Sequence, residues 1–215
     1  MKKLLMITVV AGLGWAWQAG KLDRWLESGA YDANGMSQVL VFTFQGCGKA
    51  CDDALQGLNR RGVQYTQKIV QQDDSDPNLK LCKNLGCANR FPFIVAGSEK
   101  MAGYQSHDLM RLLAKSTGEQ YLTAAEKKYF ARHFYADGEP RVVMYSAEWC
   151  GYCRKLRQEM VDAGQDFLEI DVEKQADQQK LTRVMGIPGY PYTWVGYERV
   201  PGSSYSDVRN VLSKW

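Results

Sequence analysis

The sequence predicts an α/β protein made of two tandem copies of one domain, each with a mixed central sheet flanked by helices. Two segments, "QVLVFTFQGCGKAC" and "RVVMYSAEWCGYC", share a layout in which an apolar strand runs into a tight turn and a cysteine pair. The order of strand-like and helix-like segments that follows is also the same in both halves. Such alternation of β and α segments is typical of layered α/β folds.

The spacing between matching residues is nearly constant along the chain. Cys47 and Cys150 are 103 positions apart, and Pro92 and Pro191 are 99 positions apart. A period near 100 residues indicates a duplicated domain and not a short solenoid repeat. We therefore predict one domain over residues 38–116 and a second over residues 141–215.

Each copy is predicted to contain the same elements in the same order. A helix-like stretch follows the cysteine pair and ends at a glycine, and a second strand comes next. A polar segment able to form a helix leads to an aromatic-flanked proline, in "RFPFIV" and "GYPYTWV". A final helix closes each copy, in "SHDLMRLLAKS" and "SYSDVRNVLSKW".

Residues 117–140 are predicted to form a helix that connects the two copies. Thr123 followed by Glu126 matches a capping box at a helix start, and Gly138 marks the end of the segment. Aromatic residues recur at helical spacing, which predicts that one face of this helix packs between the domains. These residues are Tyr129, Phe130, Phe134 and Tyr135.

The first 20 residues have the layout of a secretory signal peptide or a membrane anchor. Two lysines precede a run without charged residues over positions 4–20, as in signal peptides. Residues 21–37 are predicted to be a linker. The leader predicts a periplasmic protein, either soluble or anchored to the inner membrane through residues 4–20.

Composition excludes two classes of function. The net charge of +3 leaves no basic patch, so binding to nucleic acid is not expected. The two histidines, His107 and His133, lie far apart in sequence, which excludes a metal site built on several histidines. The six cysteines form three close pairs, a pattern that favours redox chemistry or metal ligation over long structural bridges.

Residues 141–215 resemble the thioredoxin superfamily, and residues 38–116 resemble it less closely. "AEWCG" is similar to thioredoxin, whereas "CGYC" and the short second half are similar to glutaredoxin. The resemblance implies a thiol–disulfide oxidoreductase that acts on protein or peptide thiols and exchanges electrons with a redox partner that the sequence does not identify. It implies no resident cofactor, and it leaves glutathione open as a co-substrate.

The pair Cys150/Cys153 is predicted to be the redox couple. A thiolate is the nucleophile in disulfide exchange, and the start of a helix favours an anion. Cys150 would therefore attack a disulfide, and Cys153, one turn further on, would resolve the mixed disulfide. Arg154, Lys155 and Arg157 add positive charge on the same turn, which would either favour the thiolate or only keep the helix surface hydrated.

The resemblance also implies which residues bind the substrate. Pro191 is expected to be cis, with the Tyr190 backbone beside an extended substrate, and Asp207 is the residue expected to contact a glutathione amine. Trp149, directly before the couple, and Tyr152, between its two cysteines, are also expected to contact the substrate. The chain departs from both families, because Met144 replaces the buried aspartate of thioredoxins and Ala147 replaces the lysine with which glutaredoxins hold glutathione.

The cysteines of the first half allow several interpretations. Cys47 and Cys51, four positions apart, would share one helix face, so they could form a redox couple, a static disulfide or a soft-metal site. Cys82 and Cys87 could form a local disulfide, a relay to the first pair or part of a four-cysteine zinc site. Pro92 is the counterpart of Pro191. We assign no metal ligand.

Two other classes of function remain open for the whole chain. Cysteine pairs of this kind could carry a metal ion or an iron–sulfur cluster, which would give a coloured protein. The fold could also serve as a binding module without catalysis, in which case replacing Cys150 would change nothing.

Overall fold

The computed structural model describes residues 29–88 and 90–215. The predicted signal peptide or anchor at residues 1–20 and residues 21–28 of the predicted linker (21–37) lie outside these ranges. Within the described part of the chain, no helix combines the length and the apolar composition that crossing a membrane requires.

The first half forms a four-stranded mixed sheet with the strand order β2-β1-β3-β4. β1 pairs in parallel with β2, and the other two pairings are antiparallel. The strands are β1 (Val39–Phe44), β2 (Thr66–Val70), β3 (Phe93–Ala96) and β4 (Glu99–Ala102).

The second half repeats this sheet with the order β6-β5-β7-β8. The parallel pairing of β5 with β6 and the antiparallel pairings of the others match the first sheet strand by strand. Every residue of β5 is buried, because both faces of this central strand are covered. The strands are β5 (Val142–Ser146), β6 (Leu168–Asp171), β7 (Tyr192–Val195) and β8 (Glu198–Arg199).

In the part of the chain that the structure describes, each sequence repeat contains three α-helices, and a seventh lies in the connecting segment. The predicted fold class, two tandem thioredoxin-like domains with mixed sheets flanked by helices, is therefore confirmed. The helices are α1 (Lys49–Arg60), α2 (Pro77–Asn84), α3 (Ser106–Thr117), α4 (Ala124–Phe130), α5 (Gly151–Asp162), α6 (Gln178–Met185) and α7 (Tyr205–Leu212).

The described residues group into two compact units that do not follow the sequence repeat. One contains residues 29–52 and 64–103, and the other contains residues 53–63 and 104–215. The second unit thus includes α3, which the sequence repeat assigns to the first copy. The domain limits derived from the repeat, 38–116 and 141–215, stay predictions.

The connecting segment contains a shorter helix than the sequence predicts. The capping box is present, with Thr123 and Glu126 each bonding the other's backbone N–H, but α4 ends at Phe130. A 3₁₀ turn follows over Ala131–His133, and Phe134 is extended. The helix stops because the chain turns inward to bury the side chain of His133, which a continuous helix to Gly138 would not allow.

The sheet of the second unit separates two buried clusters of side chains. One cluster joins residues of α3 and α4 to one face of the sheet, among them Met110, Tyr129, Phe130, Val143 and Trp194. The other lies on the opposite face and includes Val142, Met144, Val195 and the pair Cys150 and Cys153. The cysteine pair is therefore part of a packed core and not of a surface loop.

We expect Thr123→Ala to lower the free energy of unfolding by about 1 kcal/mol, the usual cost of losing an N-cap side chain. The Thr123 hydroxyl accepts the Glu126 N–H at 3.3 Å, and the Glu126 carboxylate accepts the Thr123 N–H at 2.7 Å. Urea denaturation of the wild type, Thr123→Ala and the matched control Thr123→Ser measures this cost. Equal stability of all three proteins would contradict it.

Candidate active site

Cys150 lies between the end of β5 and the first residue of α5. Cys150 is the N-cap residue of this helix, and its Sγ accepts a hydrogen bond from the Cys153 backbone N–H at 3.0 Å. The two residues form a disulfide, with their Cα atoms 5.2 Å apart. A sulfur at this position faces the unpaired N–H groups of the helix start, which favour a negative charge.

The two cysteines are buried, whereas the aromatic residues next to them in the sequence are exposed. Cys150 is 3% exposed and Cys153 is fully buried, whereas Trp149 is 67% exposed and Tyr152 is 69% exposed. Of the two cysteines only Cys150 keeps any contact with solvent, which suits it to meet an incoming thiol or disulfide first.

Trp149 is held in place by two neighbours. Its indole N–H donates to both carboxylate oxygens of Glu173, at 3.0 and 3.1 Å, and its ring packs edge-on against Tyr190 at 6.0 Å. Burial, together with the charges of Glu173 and Asp171, raises the pKa of Tyr190. Sequence reasoning missed Glu173, because no motif links it to the cysteine pair.

The Tyr190–Pro191 peptide bond is cis, as expected. This bond lies in the wall of a groove of about 420 Å³ that also includes Tyr152. The groove places the cis-proline segment and an aromatic neighbour of the cysteines along one surface. Its other lining residues include Pro188, Gly189, Tyr192, Arg199, Val200 and Pro201.

The structure gives Asp207 a capping contact in α7. Its carboxylate accepts hydrogen bonds from the Ser204 hydroxyl at 2.6 Å and from the Ser204 N–H at 3.1 Å. These bonds lower the pKa of Asp207. Asp207 lines a different cavity from the groove beside Pro191, and its contact with a glutathione amine stays a prediction.

The charges near the couple are arranged differently from the sequence prediction. Arg157 makes two hydrogen bonds to Glu169, at 2.6 and 2.5 Å, so its charge is already paired. The same contacts hold the pKa of Glu169 below its ordinary value. Met144 is buried in the same cluster as the cysteines and offers no proton-transfer group. Of the features beside Cys150, the start of α5 is one that favours an anion.

The first half also carries its cysteines as disulfides. Cys47 is bonded to Cys51 and Cys82 to Cys87, and the Phe91–Pro92 peptide bond is cis like its counterpart. In the part of the chain that the structure describes, no group of three or more His, Cys, Asp or Glu side chains is placed to hold a metal ion.

Comparison with known proteins identifies the family. The glutaredoxin family model matches residues 142–200, which contain β5, the cysteine pair and the cis proline. Glutaredoxin of Pseudomonas aeruginosa is 34% identical over 64 residues, covering 29% of this chain and 76% of that protein. The chain belongs to the glutaredoxin family. This membership supports a general activity as a thiol–disulfide oxidoreductase and places the glutaredoxin domain in the second repeat.

Two further similarities extend the comparison. A thioredoxin domain-containing protein, R362, of Acanthamoeba polyphaga mimivirus is 24% identical over 126 residues, which is 51% of this chain. The matched region spans 36% of the length of that protein. The crystal structure of glutaredoxin C1 from Populus tremula x tremuloides aligns with 43% of this chain and 89% of its own, with a TM-score of 0.32 and 22% identity.

Proposed function

We propose that Cys150 and Cys153 form the dithiol–disulfide couple with which this glutaredoxin exchanges disulfides with protein or peptide thiols. The observation that carries the proposal is the position of Cys150, whose sulfur caps α5 and accepts the Cys153 N–H. A sulfur so placed is stabilised as a thiolate. The thiolate is the form that attacks a disulfide.

The reaction proceeds in two exchanges. The Cys150 thiolate attacks one sulfur of a substrate disulfide, which forms a mixed disulfide and releases the other substrate sulfur as a thiolate that takes a proton from water. The Cys153 thiol then loses its proton and attacks Sγ of Cys150, which releases the second substrate thiolate. The substrate gains two electrons, and the couple is left as the disulfide seen in the structure. A thiol donor reverses these steps and restores the dithiol.

The groove beside Pro191 is the proposed binding surface for the substrate. Its wall combines the aromatic ring of Tyr152 with the cis-proline segment, so an extended peptide would place its cysteine near Cys150. Glutathione, itself a small thiol peptide, is the proposed co-substrate that reduces the couple. Ala147 stands where glutaredoxins place a lysine that helps to hold glutathione, and Asp207 is the residue proposed to contact the glutathione amine.

A periplasmic location, with attachment to the membrane through residues 4–20, is part of the same proposal. It rests on the leader sequence alone. In that compartment the electron partner would be another exported or membrane-bound thiol protein, because disulfides persist in oxidising environments.

The experiment that tests the proposal is a redox titration of the couple. The protein is equilibrated against glutathione buffers, and its free thiols are alkylated. After proteolysis, mass spectrometry measures the alkylated fraction of Cys150 and of Cys153 separately. We expect reversible two-electron titration between about −270 and −120 mV, the range of thioredoxin-fold couples. A pair that stays oxidised, or stays bound to a metal ion, throughout this range would contradict it.

We expect Trp149→Ala to lower kcat/KM for a peptide disulfide by about three- to tenfold, the effect of losing an aromatic contact worth about 0.5–1.5 kcal/mol. The alkylation rate of Cys150 in the reduced protein should stay unchanged, because the helix start that stabilises its thiolate is intact. Stopped-flow assays of the wild type, Trp149→Ala and the conservative control Trp149→Phe check this. A loss confined to the alkylation rate would show that Trp149 tunes the thiol and not the substrate.

A further inference from the structure

The first repeat reproduces the architecture of the proposed redox site at a second place in the chain. Cys47 follows β1 and Cys51 lies in the first turn of α1, as Cys150 follows β5 and Cys153 lies in the first turn of α5. Both pairs are closed as disulfides, with Cα–Cα distances of 5.9 and 5.2 Å. The extra residue between Cys47 and Cys51 therefore does not prevent the two sulfurs from meeting.

Each of these disulfides is accompanied by a pair of aromatic residues, one that precedes the first cysteine in the sequence and one that precedes the cis proline. Phe44, three residues before Cys47, packs edge-on against Phe91 at 5.3 Å, and Phe91 immediately precedes the cis Pro92. Trp149 packs edge-on against Tyr190 in the same way, and Tyr190 immediately precedes the cis Pro191. The first repeat thus keeps both the cis proline and an aromatic contact to the residue before it.

The two aromatic pairs differ in polarity. The indole N–H of Trp149 donates to Glu173, and Tyr190 carries a hydroxyl group. Phe44 and Phe91 offer carbon surface alone, and Phe44 remains 37% exposed to solvent. The Phe44 carbonyl oxygen accepts the Cys47 N–H at 3.1 Å, so the phenylalanine pair lies beside the disulfide. An aromatic surface at this place favours a substrate that presents an apolar side chain near its cysteine.

The surroundings of Cys47 leave room for such a substrate. Cys47 is half-buried and Cys51 is buried. The first cysteine is therefore the more exposed one in this pair, as it is in the pair Cys150 and Cys153. Gly46 precedes Cys47 with a φ of +85°, and a Cβ added there would meet nothing within 4 Å. The backbone beside the Cys47 sulfur is therefore open to an approaching chain.

The remaining pair, Cys82/Cys87, has a different setting. Cys82 is fully buried in α2 and belongs to a hydrophobic core cluster with Phe42 and Val95, against which Cys87 packs. This disulfide has the features of a structural bridge. It serves as an internal control for the redox behaviour of the other two pairs.

We propose that Cys47–Cys51 is a second dithiol–disulfide centre, specific for thiol peptides or proteins with an apolar side chain next to the reacting cysteine. A substrate thiolate attacks Sγ of Cys47, which forms a mixed disulfide and releases Cys51 as a thiolate at the start of α1. A second substrate thiol loses its proton and attacks the substrate sulfur of the mixed disulfide, which releases Cys47. The substrate loses two electrons and two protons, and the centre gains both as two thiols.

The first test is a redox titration of Cys150→Ser/Cys153→Ser, which lacks the couple of the proposed function. The protein is equilibrated against glutathione buffers under native conditions, alkylated and digested. Mass spectrometry then measures the alkylated fraction of each cysteine. We expect Cys47 and Cys51 to titrate together and reversibly, whereas Cys82 and Cys87 stay oxidised in the same samples. Reduction of Cys47–Cys51 only after unfolding, or only together with Cys82–Cys87, would overturn the proposal.

The second test measures specificity with Cys51→Ser/Cys150→Ser/Cys153→Ser, in which Cys47 is left to trap substrates. Two peptide disulfides that differ in one residue, phenylalanine or serine next to the cysteine, are compared by the rate at which their mixed disulfide forms. We expect the phenylalanine peptide to react about tenfold faster, and Phe44→Ala to remove most of that preference. Equal rates for both peptides would overturn the specificity. Both tests use proteins without Cys150 and Cys153, so their outcome is separate from that of the proposed function.

Discussion

Replacing Cys150 by serine is expected to lower the rate of disulfide exchange with the preferred peptide substrates by about a thousand-fold or more, the scale on which loss of a covalent nucleophile acts. A serine hydroxyl at the start of α5 would remain protonated at neutral pH and could not form the mixed disulfide. The fold should tolerate the change, because the serine oxygen can accept the Cys153 N–H as Sγ does, and serine is a favoured N-cap residue.

The matched control for this prediction is Cys153→Ser. It keeps the Cys150 thiolate and removes the thiol that resolves the mixed disulfide, so it should accumulate a covalent adduct with the substrate. Mass spectrometry of the two variants after mixing with a peptide disulfide should find the adduct on Cys153→Ser and none at position 150 of Cys150→Ser. A full rate of disulfide exchange in Cys150→Ser would contradict the prediction and assign the activity to another cysteine pair.

The second large effect concerns the dependence of stability on pH. His133 is fully buried; its Nδ1 lies 2.9 Å from the Gly196 carbonyl oxygen and its Nε2 lies 2.9 Å from the Tyr145 hydroxyl. A carbonyl can only accept, so Nδ1 carries the proton and Nε2 accepts from Tyr145. Burial raises the pKa of Tyr145, so this phenol remains a donor. The site is therefore built for a neutral imidazole.

Burial, assisted by the charge of Arg132, lowers the pKa of His133 from 6.5 to about 4 in the folded protein. In the unfolded chain the imidazole takes up a proton as the pH falls through about 6.5, whereas the folded protein resists until about pH 4. The unfolded state then binds more protons, so the free energy of unfolding falls across this window. The total loss by pH 4 is about 3 kcal/mol.

Urea denaturation at a series of pH values between 4 and 7.5, with the disulfides kept oxidised, measures this loss. In His133→Gln the free energy of unfolding should change much less between pH 6.5 and pH 4 than in the wild type, even if the variant is less stable at neutral pH. His107→Gln is the matched control and should keep the slope, because the His107 side chain is partly exposed. Carboxyl groups with lowered pKa values, such as Glu169 and Asp207, begin to lower the free energy of unfolding below about pH 5. This contribution is common to the wild type and both variants. An unchanged slope in His133→Gln would contradict the prediction.

Much of the fold could be predicted because its signals are local. The apolar strands, the cysteine pairs at helix starts and the aromatic-flanked prolines recur at a period near 100 residues, and the two sheets repeat each other strand by strand. The cis state of Pro191 followed from the resemblance of the second half to glutaredoxin. The Thr123 capping box is encoded within four residues and is present.

The features that escaped prediction depend on contacts between distant parts of the chain. Glu173 reaches Trp149 across 24 positions, and no periodicity marks such a pair. The early end of α4 follows from the burial of His133 against Gly196, 63 positions away. The pairing of Arg157 with Glu169 likewise depends on how α5 packs against the sheet. Helical spacing alone therefore predicted too long a connecting helix and gave no sign that the charge of Arg157 is paired with Glu169.

The placement of α3 constrains how this protein could be divided. Met110 and Ala114 of α3 lie in the same buried cluster as Val143 and Trp194 of the glutaredoxin repeat, although the family match begins only at residue 142. A fragment cut at the repeat boundary would lose that part of the cluster and keep the part supplied by Leu181 and Met185 of α6. We therefore expect a stable fragment of the second repeat to include α3. Once one copy of a duplicated gene supplies a helix to the core of the other, the order of the two copies in the chain can no longer be exchanged freely.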